Sequence, residues 1–492
     1  MIIEAVEKYK AKSLKILIAS NLKKKIRFSN KQKREKYFQI KKKLRNVQIK
    51  LRAIKLESIE EKNSSKRKIF KATSYLNTPK QQHQLYYQKF YQYSKEMAKL
   101  SSIQESQNKN FYTKIMKKLA DNSVVLYPIY CEKSSQLEVL SLSKKNNHLH
   151  VRNYSTTINH SPNFSKIRHF IKEVELFLQE SNPKFIKKKI KYFNKVYFQI
   201  PQYILGIIFD MDLKKTILKA KITYDSFMNK YRYRILIFSL NYLKEGILKA
   251  IPRGTRKIYF TPFGDLNILP LHALPIGEEQ YLIDKYEVVY IPSLSVWAEL
   301  KKSYTKKQGK SLNNLYISQD YSKEKSCHDE VIACKALIEG KHKKQISSRE
   351  FKESVHKKKF NILHLSVHGK ANLETPLDSA LAFEKSKLSL LEIHGLNLHI
   401  NLLILSACEG NVLKTKGLDE LLGFERAFIV AGATNIITTL DTVNIQRTKQ
   451  LMTTLYTHMK NSLSFSEAFR QSAIESIDNN NMEWMLFRFM GV

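Results

Sequence analysis

The stretch Asn401-Leu-Leu-Ile-Leu-Ser-Ala-Cys408-Glu-Gly410 carries the pattern on which the fold prediction rests. Its apolar run predicts a buried β-strand, and small residues and a cysteine follow where that strand would end. About forty residues upstream, Asn361-Ile-Leu-His-Leu-Ser-Val-His368-Gly369 has the same arrangement with a histidine at its end. Two strand ends that deliver a thiol and an imidazole indicate a site with a cysteine nucleophile.

The chain around these two strands alternates apolar strands with helical segments. Predicted strands are Lys257 to Thr261, Asn314 to Ser318, Ile362 to Val367, Leu402 to Leu405 and Asn435 to Thr439. Predicted helices lie between them, at about 328–340, 349–357, 417–431 and 444–460. This order predicts βαβ units and a mostly parallel sheet. The strands are continuously apolar, as expected where both faces of a sheet are covered.

His368 and Cys408 would lie where such a sheet binds ligands, beyond the carboxyl ends of its strands. If the two strands are neighbours, the side chains converge, and the imidazole can lower the pKa of the thiol or remove its proton. The backbone N–H groups of Gly369 and Cys408 are candidates to hold an oxyanion. A lone cysteine is more often a buried apolar residue, and a lone His-Gly more often a turn, but the pair favours catalysis.

Other bulk features limit the classes of protein. The chain has 492 residues, enough for two or three domains, and only four cysteines without paired spacing. We therefore expect no disulfide framework and no zinc site, and a reducing, cytoplasmic compartment. No apolar run is long enough for a transmembrane helix, and the short run Leu14 to Ala19 lacks the cleavage site of a signal peptide.

The positive charge is concentrated near the N-terminus. Residues 1–100 hold about 28 Lys and Arg against about 7 Asp and Glu, roughly half of the net charge of +41. Residues 401–492 are close to neutral. Solvated helix faces in a lysine-rich chain are the plainest explanation. Binding to nucleic acid, an anionic membrane or an acidic partner is the alternative.

Composition divides the chain into three predicted regions. Residues 1–120 form a basic helical region, in which the tyrosines from Tyr86 to Tyr93 suit a packing face better than base stacking. Residues 121–255 combine strands with helix and end at the boundary Pro252-Arg-Gly254. Residues 256–492 form the α/β region. Within 121–255 we predict strands at Ser123 to Tyr130, Leu137 to Ser143 and His148 to Tyr154, and an amphipathic helix at Tyr233 to Ala250.

These residues together resemble the CHAT domain, a caspase-like branch of the cysteine peptidases that also includes separases. His368-Gly369 and Ser406-Ala-Cys-Glu409 are similar to its two hallmark strand ends. Further similar segments are Phe263-Gly-Asp-Leu-Asn-Ile-Leu-Pro-Leu-His-Ala-Leu274, Tyr290-Ile-Pro-Ser293, Gly417-Leu-Asp-Glu-Leu-Leu-Gly-Phe-Glu-Arg-Ala-Phe428 with Ala431-Gly-Ala433, and Trp484 to Gly491. The resemblance covers roughly residues 122–492.

The resemblance implies a caspase-like α/β/α sandwich whose part within 121–255 is pseudo-peptidase-like, and a regulated cysteine endopeptidase, often within defence or cell-death systems. His368 would be the general base or acid, and Cys408 the nucleophile that forms an acyl-enzyme on a protein substrate. It implies no cofactor and no metal, and an activating protein partner fits regulated cleavage. Ser406, two residues before the cysteine, would line the substrate pocket, and we add Glu409 beside it as a candidate.

One segment departs from the family pattern. After the strand that ends at Leu440, the family usually has Leu-Trp-Pro-Val-Asp-Asp, and this chain has Leu440-Asp-Thr-Val-Asn-Ile445. Asp441 at the position of the tryptophan is either an acidic pocket residue that favours Lys or Arg, or a structural residue such as the N-cap of the helix at 444–460.

The alternative function is that of a non-catalytic module. The basic helices would bind nucleic acid or an acidic partner, and the caspase-like region would serve as a scaffold. Other histidines carry less weight: His364 shares a strand face with His368 and suits a packed or hydrogen-bonded support. Cys327 and His328 are adjacent at a helix start, where neighbouring side chains diverge.

Overall fold

The computed structural model describes part of the chain. The described residues are 117–131, 134–158, 232–307, 313–320, 326–356, 358–370, 379–407, 414–415 and 421–492, with the single positions 35, 39, 43, 115, 164 and 171. Nearly all of the basic region 1–120 lies outside them, so its helices and its nucleic-acid binding stay predictions. Cys408 and Glu409 also lie outside the described residues.

The secondary structure follows the predicted alternation, except that the helix predicted at 417–431 begins only at Phe424, after a short strand at Leu421–Leu422. The strands are β1 (Ser123–Cys131), β2 (Gln136–Lys145), β3 (His148–Thr157), β4 (Lys257–Phe260), β5 (Glu287–Tyr290), β6 (Asn313–Ser318), β7 (Lys341–Lys344), β8 (Lys359–Ser366), β9 (Gly369–Lys370), β10 (Ala380–Phe383), β11 (Ser386–Ser389), β12 (His399–Ser406), β13 (Lys414–Thr415), β14 (Leu421–Leu422), β15 (Ala433–Thr439) and β16 (Phe487–Met490). The helices are α1 (Arg232–Lys249), α2 (Leu282–Lys285), α3 (Leu294–Lys307), α4 (Ser326–Leu337), α5 (Ser348–Val355), α6 (Leu390–His394), α7 (Phe424–Ala431), α8 (Ile445–Lys460) and α9 (Phe465–Asp478).

Eleven of these strands form one sheet in the order β3-β2-β1-β4-β5-β16-β15-β12-β8-β6-β7. Most neighbours are parallel, which confirms the predicted sheet type. β16 is parallel to β5 but antiparallel to β15, so the two parallel halves of the sheet run in opposite directions. β1 pairs with β4 across the predicted boundary at residue 255, and that division of the chain stays a prediction.

Helices cover both faces of the sheet. β15 is buried along its whole length and β12 along all but its first residue, which alternating side chains allow only where both faces are covered. α4, α8 and α9 pack in a row, while α3 and α7 contact β15 and α6 contacts α7. The three layers confirm the predicted α/β/α sandwich. In the described part of the chain, no helix has both the length and the apolar character needed to cross a bilayer.

Local sequence signals fix where the helices before β8 and β12 begin. Ser347 caps α5 and Ser389 caps α6, each accepting a hydrogen bond from the backbone N–H of a glutamate three residues later. In both cases the glutamate carboxylate accepts a hydrogen bond from the backbone N–H of the cap serine, which completes a capping box. Such a cap contributes about 1 kcal/mol to helix stability and sets the point from which the next strand enters the sheet.

A buried ion pair joins the middle of the sheet to α7. Arg488 of β16 contacts both carboxylate oxygens of Glu425, with 2.7 Å between Arg488 Nε and Glu425 Oε1. Arg488 Nη1 also donates to the carbonyl oxygen of Asn267 at 2.7 Å, and the guanidinium lies over the ring of Tyr290. Both charged side chains are nearly inaccessible to solvent, so each depends on the other for its counter-charge.

Candidate active site

Hydroxyl-bearing residues end four neighbouring parallel strands. Ser318 of β6, Ser366 of β8 and Ser406 of β12 are direct partners in register. Thr439 ends β15, and the residue before it is paired with the residue before Ser406. The four residues therefore form a row across one edge of the sheet.

In the sequence, four residues each follow a member of this row by two positions. They are Asp320, His368, Cys408 and Asp441. Because the four strands are parallel, their carboxyl ends all lie at the same edge, where open α/β sheets bind ligands. The structure thus places His368 and Asp441 at one edge and adds Asp320, while Cys408 follows the last described residue of its segment, Ala407.

His368 is half-buried at the end of β8. Burial lowers the pKa of its imidazole below the ordinary value of 6.5, and the carboxylate of Asp320 acts in the opposite direction. With a lowered pKa, the imidazole is mostly neutral at pH 7, which is the form that accepts a proton. The side chain therefore has the protonation state that a general base requires.

Gly369 begins β9, which pairs with β10 next to the site. Ala382 donates its backbone N–H to the carbonyl oxygen of His368 at 2.8 Å, and Gly369 faces Leu381 in the same antiparallel register. Hydrogen-bonded and non-bonded pairs alternate in such a ladder, so the Gly369 N–H is directed away from β10. An N–H in this position supports the predicted oxyanion role, which stays a prediction.

Asp320 holds the start of α4 as well as acting on His368. Its Oδ1 accepts the backbone N–H groups of Cys327 at 3.0 Å and His328 at 3.2 Å. Its side chain is only 5% exposed, and Lys344 Nζ lies 3.9 Å from Oδ2. Asp320 was not among the residues predicted from the sequence, although in the sequence it follows a predicted strand just as His368 and Cys408 do.

Ser406 is directed into the protein, toward α4. Its hydroxyl donates to Oε2 of Glu330 at 3.1 Å, and Ser366 donates to the same oxygen at the same distance. His364 Nε2 lies 2.9 Å from the other carboxylate oxygen, Oε1, and His364 Nδ1 lies 3.0 Å from the hydroxyl of Tyr456. The prediction of a hydrogen-bonded support for His364 is confirmed, and the pocket role of Ser406 stays a prediction.

Asp441 is engaged with the chain that leads into α8. Its Oδ1 accepts the N–H of Thr442 at 2.8 Å. The N-cap of α8 is Asn444, whose side chain accepts the N–H of Arg447, so the interpretation of Asp441 as that cap is wrong. Asn444 is better placed because it directly precedes the first helical residue. The choice of substrate residue by Asp441 stays a prediction.

Arg232 connects the first helix to this end of the site. Its Nη1 donates to the carbonyl oxygen of Thr442 at 2.6 Å, and the carboxylates of Glu483 and Asp441 attract its guanidinium. The Asp441 carboxylate is therefore partly balanced from within the protein. A cationic substrate side chain would have to compete with Arg232 for it.

Comparison with known proteins places this site in a family. The CHAT domain model matches residues 237–487, about half of the chain. The chain belongs to the CHAT domain family. The family resemblance seen in the sequence is thereby confirmed for the region that holds the four strand ends. A search of curated proteins found no match to the chain.

A solved structure has a similar fold. A chain of the Saccharomyces cerevisiae separase–securin complex, solved at 2.6 Å resolution, has a TM-score of 0.50 and 13% identity, covering 84% of this CHAT protein and 33% of its own length. The CHAT protein thus spans about a third of that chain. A second crystal structure of the complex has a TM-score of 0.48 and 11% identity, and the Arg-specific cysteine proteinase gingipain R has a TM-score of 0.34 and 9% identity. The fold of this CHAT protein is therefore similar to that of the matched chain of the separase–securin complex.

Proposed function

We propose that this CHAT protein is a cysteine endopeptidase that uses His368 as its general base and Cys408 as its nucleophile. The observation that carries the proposal is the register between β8 and β12. Ser366 and Ser406 are direct partners in adjacent parallel strands, and His368 and Cys408 each follow two residues later. From this equal spacing beyond a shared row we infer that the two residues lie at the same edge of the sheet.

The protonation state of His368 supports the first chemical step. A neutral imidazole takes the proton of the Cys408 thiol, and the resulting thiolate attacks the carbonyl carbon of the scissile peptide bond. A C–S bond forms, and the negative charge moves to the carbonyl oxygen. The N–H groups of Gly369 and Cys408 would hold that oxygen, which lowers the energy of the tetrahedral intermediate.

The second half of the cycle returns the proton. The imidazolium of His368 gives its proton to the leaving amine as the C–N bond breaks, and an acyl-enzyme remains on Cys408. Water, deprotonated by the same imidazole, then attacks the thioester carbon and releases the carboxylic acid product. The thiol regains its proton, so the cycle consumes only water and needs no cofactor.

Substrate and partners follow as further parts of the proposal. Ser406, Glu409 and Asp441 are the candidate pocket residues, and a protein is the proposed substrate. The matched separase chain was crystallised in complex with securin, which suggests that a protein partner also controls this peptidase. We retain residues 256–492 as the proposed catalytic region and a reducing, cytoplasmic setting, since the reactive group is a thiol.

Labelling and cleavage test the nucleophile directly. Cys408→Ala should lower the cleavage rate by roughly 10³-fold or more and remove labelling by a thiol-directed peptide electrophile. Cys131→Ala is the matched control because Cys131 is exposed and lies in β1, far from Cys408 in the sequence. Its removal should lower only background labelling and leave cleavage unchanged. Labelling by the peptide electrophile that persists in Cys408→Ala would contradict the assignment.

A further inference from the structure

One buried carboxylate connects the two strands that lead to His368 and Cys408. Glu330 lies in the first half of α4 and is 2% exposed. Its Oε2 accepts the hydroxyl of Ser366 from β8 and the hydroxyl of Ser406 from β12, each at 3.1 Å. Hydrogen bonds to a carboxylate are roughly twice as strong as those between neutral groups, and burial strengthens them further.

The second oxygen of this carboxylate is held just as firmly. Oε1 lies 2.9 Å from His364 Nε2, and His364 Nδ1 lies 3.0 Å from the Tyr456 hydroxyl in α8. The rings of His364 and Tyr456 stack with an angle of 19° between their planes. Each oxygen of the carboxylate and each nitrogen of the imidazole therefore has a partner, so the carboxylate cannot turn without breaking several bonds.

The position of these contacts gives the network a role beyond packing. Ser366 and Ser406 each lie two residues before a member of the proposed dyad. Just beyond Ser366, the backbone N–H of Val367 donates to the carbonyl oxygen of Ser406 at 3.1 Å, so the two strand ends are still joined there. A carboxylate bound to both serines fixes how far apart the strand ends lie and how far one strand slides along the other.

We propose that Glu330 is a positioning residue, which fixes the spacing and the slide of β8 against β12 and thereby aligns the His368 imidazole with the Cys408 thiol. This inference rests on the proposed peptidase function. A buried ionic network is often replaceable by apolar residues without loss of stability. Apolar side chains would hold α4 on the sheet equally well, but they would not connect two particular strand ends.

Kinetics of the full chain test this role. Glu330→Ala should lower kcat by about 10²-fold, since a misplacement of about 1 Å in an active site costs that much, and KM should change by less than about two-fold. The double variant Ser366→Ala/Ser406→Ala should lower kcat similarly. Adding Glu330→Ala to it should have little further effect, because the three residues act as one unit.

A matched control separates alignment from general loss of stability. Tyr456→Phe removes a buried hydroxyl from the same network, on the side of His364 away from the serines. It should lower the thermal unfolding temperature but change kcat by less than about two-fold at temperatures well below unfolding. A fall in kcat as large as that of Glu330→Ala would overturn the positioning role.

Hydrogen exchange gives a readout that needs no catalysis. The Val367 amide, bonded to Ser406 O, should exchange at least about ten-fold faster in Glu330→Ala and unchanged in Tyr456→Phe. Unchanged Val367 exchange in the folded variant overturns the proposal, whatever the activity. If the wild-type protein neither cleaves nor is labelled at Cys408, the proposed peptidase function fails. The effect of Glu330 on the position of β8 against β12 is then tested by the hydrogen exchange of Val367 alone. If Glu330→Ala does not fold, Glu330→Met, of similar volume but without an acceptor oxygen for the two serines, takes its place with the same criteria.

Discussion

Replacing Glu425 with alanine should destabilise the protein strongly, because it leaves the buried guanidinium of Arg488 without its counter-charge. The two side chains are 5% and 1% exposed, so water cannot take the place of the lost carboxylate. Removing one partner of such a pair costs about 3–5 kcal/mol. The remaining contacts of Arg488, with the Asn267 carbonyl and the Tyr290 ring, place the expected cost near the lower end, at about 3 kcal/mol.

The expected loss converts to a measurable temperature shift. For a domain of 150–250 residues, each kcal/mol corresponds to a Tm change of about 2–4 °C, so Glu425→Ala should lower Tm by roughly 6–12 °C. Thermal unfolding followed by circular dichroism measures this. The double variant Glu425→Leu/Arg488→Met should recover most of the loss, since an apolar pair of similar volume removes the stranded charge.

An exposed ion pair serves as the control for this experiment. Arg349 and Glu353 form an i,i+4 pair in α5 with side chains that are 88% and 63% exposed. Glu353→Ala should therefore shift Tm by less than about 2 °C. A shift that small for Glu425→Ala, or a Glu425→Leu/Arg488→Met variant that is no more stable than Glu425→Ala, would refute the reasoning.

Two further outcomes are expected at the strand ends and at the glycines. In Asp320→Asn, the amide still caps α4 but no longer favours the imidazolium form of His368. The acid limb of the kcat/KM–pH profile should therefore move to lower pH. If the acid limb stays in place, it does not report the titration of His368. Gly432→Ala should lower the free energy of unfolding by more than about 2 kcal/mol, because φ is +123° and a Cβ would lie 2.0 Å from Leu398 O. Gly254→Ala is the control: its φ is +80° but the space around it is open, so it should cost less than about half as much. Equal losses of Tm in the two variants would contradict this.

The fold was largely predictable from local patterns. Continuous apolar runs mark β8, β12 and β15 because strands covered on both faces need no polar side, and Ser-x-x-Glu marks the starts of α5 and α6. Local patterns say nothing about direction across the sheet. The insertion of Phe487–Met490 between β5 and β15, with opposite direction to β15, depends on contacts between residues far apart in the chain.

The residues of the candidate site were predictable only where a reactive or charged side chain follows the end of a strand. That rule selects His368 and Asp441, and the same rule would have selected Asp320 had it been applied to the strand that ends at Ser318. Glu330 carries no such mark, because a glutamate in the first half of a helix is usually solvated. Its burial depends on which face of α4 docks against the serines, and this is decided by packing across the whole sheet.

The place of β16 in the sheet has a consequence for how the chain folds. This four-residue strand comes after the ten other strands of the sheet in chain order, yet it lies between β5 and β15 near the middle. Until the ribosome has delivered it, β5 and β15 both present open edges, and open edges invite pairing with other chains. The chain is therefore exposed to aggregation until residues 487–490 have been synthesised. We expect that a pause in translation just before these residues would increase aggregation and that chaperones would reduce it.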